Sequence, residues 1–302
     1  MIEKFLIMLL IAAAVNAKLD NPDDVSLCSG SDLEKYVFDA SWHILAGVIC
    51  IVLLLAVSFI YYHIHGLRSV HGFMFFYLLF GLLTLYFSLI VINFKFSFIP
   101  CAFNGYLLGF TTLFCICWMN VMCLDSFLVF HNIDMSKTKQ FTYCCFYGIG
   151  GPAIYLFGCF LLNQLELDLA SKPPFSAVGC GLKEKTADLY YFYLPSLLLV
   201  VASASLLIWT AWRVKHLQRV LKHNTVQFDR SADREKLTLT WRLFVILAFL
   251  YGLQYYAWVT ESNCWLRFLT SVYVYITGLF IFLICICNRR VYDCFLNLRC
   301  LK

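Results

Sequence analysis

Seven apolar stretches, each about one bilayer long, occupy nearly all of this 302-residue chain. A helix needs roughly 20 mostly apolar residues to cross the hydrocarbon core of a bilayer. Backbone N–H and C=O groups find no water there, so only helices and closed barrels can span it. Barrel strands alternate apolar and polar residues over about 10 positions, and these runs do not. The sequence therefore predicts an all-α membrane protein, a seven-transmembrane helix bundle over residues 42–287. The predicted spans, one to seven, are Trp42–Tyr62, Phe73–Phe94, Cys101–Phe130, Phe141–Leu162, Leu189–Trp212, Trp241–Thr260 and Trp265–Cys287.

Composition agrees with this fold class. The chain is 62% hydrophobic and 14% charged, whereas soluble domains are about 45–50% apolar and about 25% charged. The spans show no acid/base constellation of the kind that an enzyme needs and no cluster with metal-ligand spacing. We therefore expect no enzyme, no cofactor, no metal site and no nucleic-acid partner.

The first 17 residues have the pattern of a secretory signal peptide. Lys4 precedes a short apolar run, and Val15-Asn16-Ala17 has the small-x-small form of a cleavage site. An uncleaved anchor is the alternative. Of the Lys and Arg residues, fifteen fall in predicted inner segments and seven in outer ones, as the positive-inside rule requires. We therefore expect residues 18–41 to be a short extracellular segment and the C-terminus to be cytoplasmic, in a multi-pass plasma-membrane protein.

Four of the 15 cysteines fall on the predicted outer side. Cys101 opens span three and Cys180 lies between spans four and five, so a disulfide between them would fix that loop over the bundle in an oxidising compartment. Cys28 and Cys264 are candidates for a second disulfide. Sequence alone does not determine connectivity, so free thiols at all four positions are the alternative.

The spans resemble those of the insect Methuselah-like receptors, which are grouped with the secretin-like, class B side of the G-protein-coupled receptors. The resemblance is carried by Trp118-Met119-Asn120-Val121-Met122-Cys123-Leu124-Asp125 in span three, His71-Gly72 in span two, Tyr191-Phe192-Tyr193-Leu194-Pro195 and Trp209-Thr210-Ala211-Trp212-Arg213-Val214 in span five, Trp241-Arg242-Leu243-Phe244-Val245-Ile246 in span six, and Gly278-Leu279-Phe280-Ile281-Phe282 in span seven.

This resemblance implies a cell-surface receptor that transduces an unknown extracellular ligand, a peptide or a small molecule, to heterotrimeric G proteins. Receptors of this type usually carry a large Cys-rich ectodomain before span one, a place that residues 18–41 occupy here. The alternatives are a seven-helix chemoreceptor channel or transporter, and a receptor homologue that does not signal.

Three polar residues near the inner helix ends are candidates for a resting-state latch. Asp125 lies late in span three, His71 precedes the apolar run of span two, and Arg242 lies at the predicted start of span six. We expect Asp125 to pair with Arg242 or with His71 in the resting state, because ionisable groups inside spans are often functional. A solvated carboxylate at the membrane surface is the alternative.

Basic residues at the inner face are candidates for contact with a G protein. Three of them, Lys215, Arg219 and Lys222, share one helical face after span five. Anionic lipid is the other partner that such charge would attract. The full set of candidates is Lys137, Lys139, Lys215, Arg219, Lys222, Lys236, Arg289 and Arg290.

The two remaining candidate regions lie at the ends of span seven. Residues 288–302 have apolar side chains at helical spacing and predict a cytoplasmic amphipathic helix on the inner leaflet. Within it, Cys294 and Cys300 are palmitoylation candidates, with unmodified thiols as the alternative. On the outer side, Trp258, Glu261 and Trp265 flank the turn before span seven and are candidates for ligand contact, or simply members of an interfacial aromatic belt.

Overall fold

The computed structural model describes residues 40–63, 70–94, 101–131, 136–164, 189–223, 231–259 and 264–286. Seven helices in this part of the chain are long and apolar enough to cross a membrane, and no strand occurs among the described residues. The predicted all-α seven-helix fold is therefore confirmed. From here, span one to span seven denote the following helices: Ala40–His63; Val70–Phe94; Cys101–Phe130; Lys137–Cys145 continued by Phe146–Gly150 and Gly151–Gln164; Leu189–Tyr193 continued by Leu194–His223; Ser231–Val259; and Cys264–Ile286.

Three helices extend beyond their apolar runs by four residues or more. Span four begins at Lys137 rather than Phe141, span five continues to His223, and span six begins at Ser231 rather than Trp241. Hydropathy marks only the part of a helix that lies in hydrocarbon, whereas backbone hydrogen bonding continues through polar turns at either end. The predicted spans were therefore right in number and position but too short at these ends.

Span three forms the centre of the bundle and packs against spans two, four, five and six. Its large buried side chains include Trp118 and Met122, which are fully enclosed. Many aromatic and aliphatic side chains point outward instead, such as Phe59, Leu198 and Trp212. An outward apolar surface of this extent matches hydrocarbon rather than water.

Two of the helices contain a π-helical segment, and a proline lies two residues after each one. The segments are Phe146–Gly150 in span four and Leu189–Tyr193 in span five. Proline has no N–H to donate to the carbonyl four residues earlier, and its ring clashes with that carbonyl. Pro152 thus disturbs the helix at residue 148 and Pro195 at residue 191, which are the central residues of the two segments.

Pro195 has no N–H to donate to the carbonyl of Tyr191, and a side chain of span four donates to this carbonyl instead. The Tyr155 hydroxyl of span four donates a hydrogen bond to the Tyr191 oxygen at 2.9 Å. Since an unsatisfied backbone group inside a bilayer costs several kcal/mol, this contact makes the irregular start of span five tolerable and joins spans four and five.

Candidate functional site

A buried polar cluster joins four spans at one end of the bundle. This end, where span one finishes at His63 and span two begins at Val70, is here called the first-loop end. The cluster comprises His71 of span two, Asp125 of span three, Gln140 of span four and Thr240 of span six. We call these four residues the Asp125 cluster.

Asp125 accepts hydrogen bonds at both carboxylate oxygens. His71 Nδ1 lies 2.8 Å from Asp125 Oδ2, and Gln140 Nε2 donates to Asp125 Oδ1 at 2.6 Å. The two side chains of the His71–Asp125 pair are only 6% and 7% exposed. A buried carboxylate is tolerated only when its oxygens have partners, so the two neighbouring spans supply what its burial requires.

His71 uses both of its ring nitrogens within the Asp125 cluster. Its Nδ1 lies 2.8 Å from Asp125 Oδ2, and its Nε2 lies 3.3 Å from the Thr240 hydroxyl, which also donates to the Lys236 carbonyl at 2.9 Å. Asp125 is therefore held by His71 of span two, and His71 in turn contacts Thr240 of span six.

The structure brings together two of the three residues proposed as a latch. His71 contacts Asp125, whereas Arg242 is exposed and lies well inside the helix that starts at Ser231. The longer helix therefore removes the premise that placed Arg242 at the end of span six. Thr240, two residues earlier, occupies the position facing His71 instead.

Sequence reasoning missed Gln140 and Thr240. A single polar residue near a helix end forms no pattern, and the apolar run of span four was predicted to begin only after Gln140. The sequence did offer one indication of a further partner. Asp125 has two carboxylate oxygens, and the pairing with a single residue left one of them without a donor.

Those basic candidates whose side chains are described lie at the first-loop end of the bundle. Lys139, Lys215 and Arg219 are exposed on spans four and five, and Lys236 makes an ion pair with Asp233 on span six at 3.0 Å. The continuous helix to His223 places Lys215, Arg219 and the backbone of residue 222 on one helical extension beyond the apolar run.

Several predicted features fall outside the described residues. These are the signal peptide and the segment before residue 40, the tail 288–302, and Cys28, Cys180, Glu261, Arg289, Arg290, Cys294 and Cys300. For Cys101, Lys137, Lys222, Trp258, Cys264 and Trp265 only the helical backbone is described. The cysteines whose side chains are described are free, and seven of these eight are buried.

Nearer the opposite end of the bundle, tyrosine hydroxyls tie span seven to its neighbours. Tyr86 of span two donates to the Val274 carbonyl at 2.6 Å, and Tyr273 donates to the Ile246 carbonyl of span six at 3.2 Å. The Asp125 cluster includes spans two and six but not span seven. The two ends of the bundle are therefore held by different sets of polar contacts.

Sequence similarity to a known protein indicates the kind of protein to which this chain is related. The chain is 22% identical over 239 residues to the Drosophila melanogaster protein named "Probable G-protein coupled receptor Mth-like 4". The match takes 75% of this chain and 46% of that protein, so the chain spans about half the length of this relative. No protein-family model matches the chain. Distant similarity to a receptor, together with seven membrane-length helices, supports a receptor-like, multi-pass membrane protein.

Proposed function

We propose that this chain is a Methuselah-like cell-surface receptor that transduces an extracellular ligand to heterotrimeric G proteins. The observation that carries the proposal is the Asp125 cluster. It is buried, it joins four spans at one end of the bundle, and the same end carries exposed basic side chains on two helices.

A receptor needs two helix arrangements of similar energy, one of which an agonist favours. The Asp125 cluster provides the contact that distinguishes them. While His71 and Gln140 bind Asp125, spans two, three and four stay together, and Thr240 adds span six. Loss of the Thr240–His71 contact would let span six separate from span two and open a cleft at the first-loop end, while the Tyr273–Ile246 contact lies further along span six and need not break.

The proposed orientation places the first-loop end in the cytosol. Its support is the signal-peptide pattern and the excess of Lys and Arg in the segments at that end. An epitope inserted after Ala17 should then be labelled on intact cells, and a C-terminal epitope only after permeabilisation. Surface labelling of the C-terminal epitope on intact cells would contradict this orientation.

The coupling experiment reverses charge on the extension of span five. Changing Lys215, Arg219 and Lys222 together to Glu replaces attraction for an acidic G-protein surface with repulsion, which costs several kcal/mol across an interface. Second-messenger output at matched surface level should fall sharply. Because Lys215 and Arg219 are exposed, folding and surface expression should survive.

A second variant with Gln at the same three positions separates lost attraction from new repulsion, and its output should fall less. Unchanged output from the Glu variant would show that this face meets lipid or water only. An ion current that persists in the Glu variant, with no G-protein output from either form, would favour the channel alternative.

A further inference from the structure

Span four contacts span three at two points. The number of residues between these points differs between the two helices. Gln140 donates to Asp125, and Gly148 lies against the indole of Trp118. The second contact is so close that a Cβ on Gly148 would lie 2.6 Å from Trp118 Cε2. Trp118 is fully buried and stacks on Tyr77, with ring centroids 4.5 Å apart, so it has no room to retreat.

The two points are seven residues apart on span three and eight residues apart on span four. Residues seven apart on an α-helix return to nearly the same face, with a drift of about 20°. Residues eight apart differ by about 80°, because each residue turns the helix by about 100°. An uninterrupted α-helix would therefore direct Gln140 and Gly148 toward opposite edges of the face that meets span three, whereas Asp125 and Trp118 lie almost in line on span three.

The π-helical segment Phe146–Gly150 reduces this mismatch. Its i→i+5 hydrogen bonds take up about one residue more per turn than α-helical bonds. The half of the segment that precedes Gly148 lies between the two contact residues, so it turns Gln140 back toward the line of Gly148. Pro152 favours the segment, because it has no N–H to donate to the carbonyl of residue 148.

We propose that Pro152 is a positioning residue for the Asp125 cluster: through the π-helical turn centred on Gly148, it holds Gln140 against Asp125. Without the proline, span four returns to α-helical geometry. Gly148 stays in its place against Trp118, and the segment before it rotates so that Gln140 leaves Asp125. The structural coupling is independent of what the protein does, whereas its consequence for signalling rests on the proposed function.

The test measures how strongly stability depends on Gln140 in four backgrounds. Gln140→Leu is introduced into the full-length wild type, Pro152→Ala, Pro195→Ala, and Pro152→Ala with Phe146 deleted, and thermal unfolding of the purified proteins is followed. In the wild type, the loss of a hydrogen bond to a buried carboxylate should lower the melting temperature by about 3–10 °C. With Pro152→Ala the same substitution should change it by less than about 2 °C, because Gln140 no longer reaches Asp125.

The other two backgrounds are controls. Pro195→Ala removes the equivalent proline of span five and should leave the full effect of Gln140→Leu. Deleting Phe146, whose side chain is 70% exposed, shortens the Gln140–Gly148 spacing to seven residues. In the Pro152→Ala background this should return Gln140 to Asp125 and restore the full effect, an outcome that a merely local effect of Pro152 on helix stability does not produce.

An undiminished effect of Gln140→Leu in the Pro152→Ala background would overturn the proposal, as would a reduced effect in the Pro195→Ala background. The comparison of the two proline variants decides the question even if the deletion variant does not fold. Basal G-protein output is measured on the same proteins. If the thermal coupling holds and no form yields output, Pro152 positions Gln140 as inferred and the proposed function fails.

Discussion

Removing the charge of Asp125 should destabilise the bundle far more than removing that of another aspartate at the same end. Asp125→Asn keeps the size of the side chain and an acceptor for Gln140, but it replaces the carboxylate oxygen that His71 contacts with an amide nitrogen. A hydrogen bond to a charged group contributes about 1.5–3 kcal/mol. Because the pair is buried and the new amide places a donor against His71, we expect the upper part of that range, about 3 kcal/mol.

Asp233→Asn is the matched control. Asp233 pairs with Lys236 at 3.0 Å on span six, but these side chains are 27% and 33% exposed. Surface pairs on one helix contribute about 0.3–0.5 kcal/mol. At about 2–4 °C per kcal/mol, Asp125→Asn should lower the melting temperature by about 6–12 °C and Asp233→Asn by about 1–2 °C.

A thiol-reactive dye provides the assay, because seven of the eight free cysteines with described side chains are buried and become reactive on unfolding. In cells, Asp125→Asn should also raise basal output at matched surface level, because it weakens the resting contact. Equal thermal shifts for the two variants would refute the argument that burial makes the Asp125 cluster an energetically distinct site.

The remaining predictions concern packing and the outer loop. Gly148→Ala should destabilise by about 1–3 kcal/mol through overpacking against Trp118, while Gly150→Ala, whose added Cβ would meet nothing closer than 3.9 Å, should be neutral or slightly stabilising. Thermal unfolding measures both, and equal effects would contradict the close contact at Gly148. We also predict a Cys101–Cys180 disulfide, with sulfurs about 2.05 Å apart. Non-reducing peptide mapping should recover both cysteines together, and free thiols at both in surface-expressed protein would rule it out.

The fold could be predicted from the sequence because a bilayer imposes one requirement on every span. Apolar length alone located all seven helices. It did not locate their polar ends, since hydropathy carries no information about helix beyond the hydrocarbon. That is why span six was predicted to begin ten residues late, and why Arg242 was taken to lie at its start.

The Asp125 cluster was predictable only in part. Asp125 and His71 stand out as ionisable residues beside apolar runs, and the structure places them in contact. The contact of Gln140 with Asp125 depends on how span four is rotated about its axis relative to span three. In our proposal Pro152, about three turns further along span four, sets this rotation. Pro152 and Pro195 are visible in the sequence, but their effect on which side chain faces which neighbour requires the packed bundle.

The central claim is that release of the Asp125 cluster drives coupling to G proteins, and one measurement tests it most directly. Wild-type and Asp125→Asn protein are reconstituted at equal density into vesicles with purified heterotrimeric G proteins, and guanine-nucleotide exchange is recorded alongside ionic conductance. The account predicts faster exchange with Asp125→Asn than with wild type, and no conductance from either. Exchange no faster than in protein-free vesicles, accompanied by a conductance that the substitution alters, would contradict it.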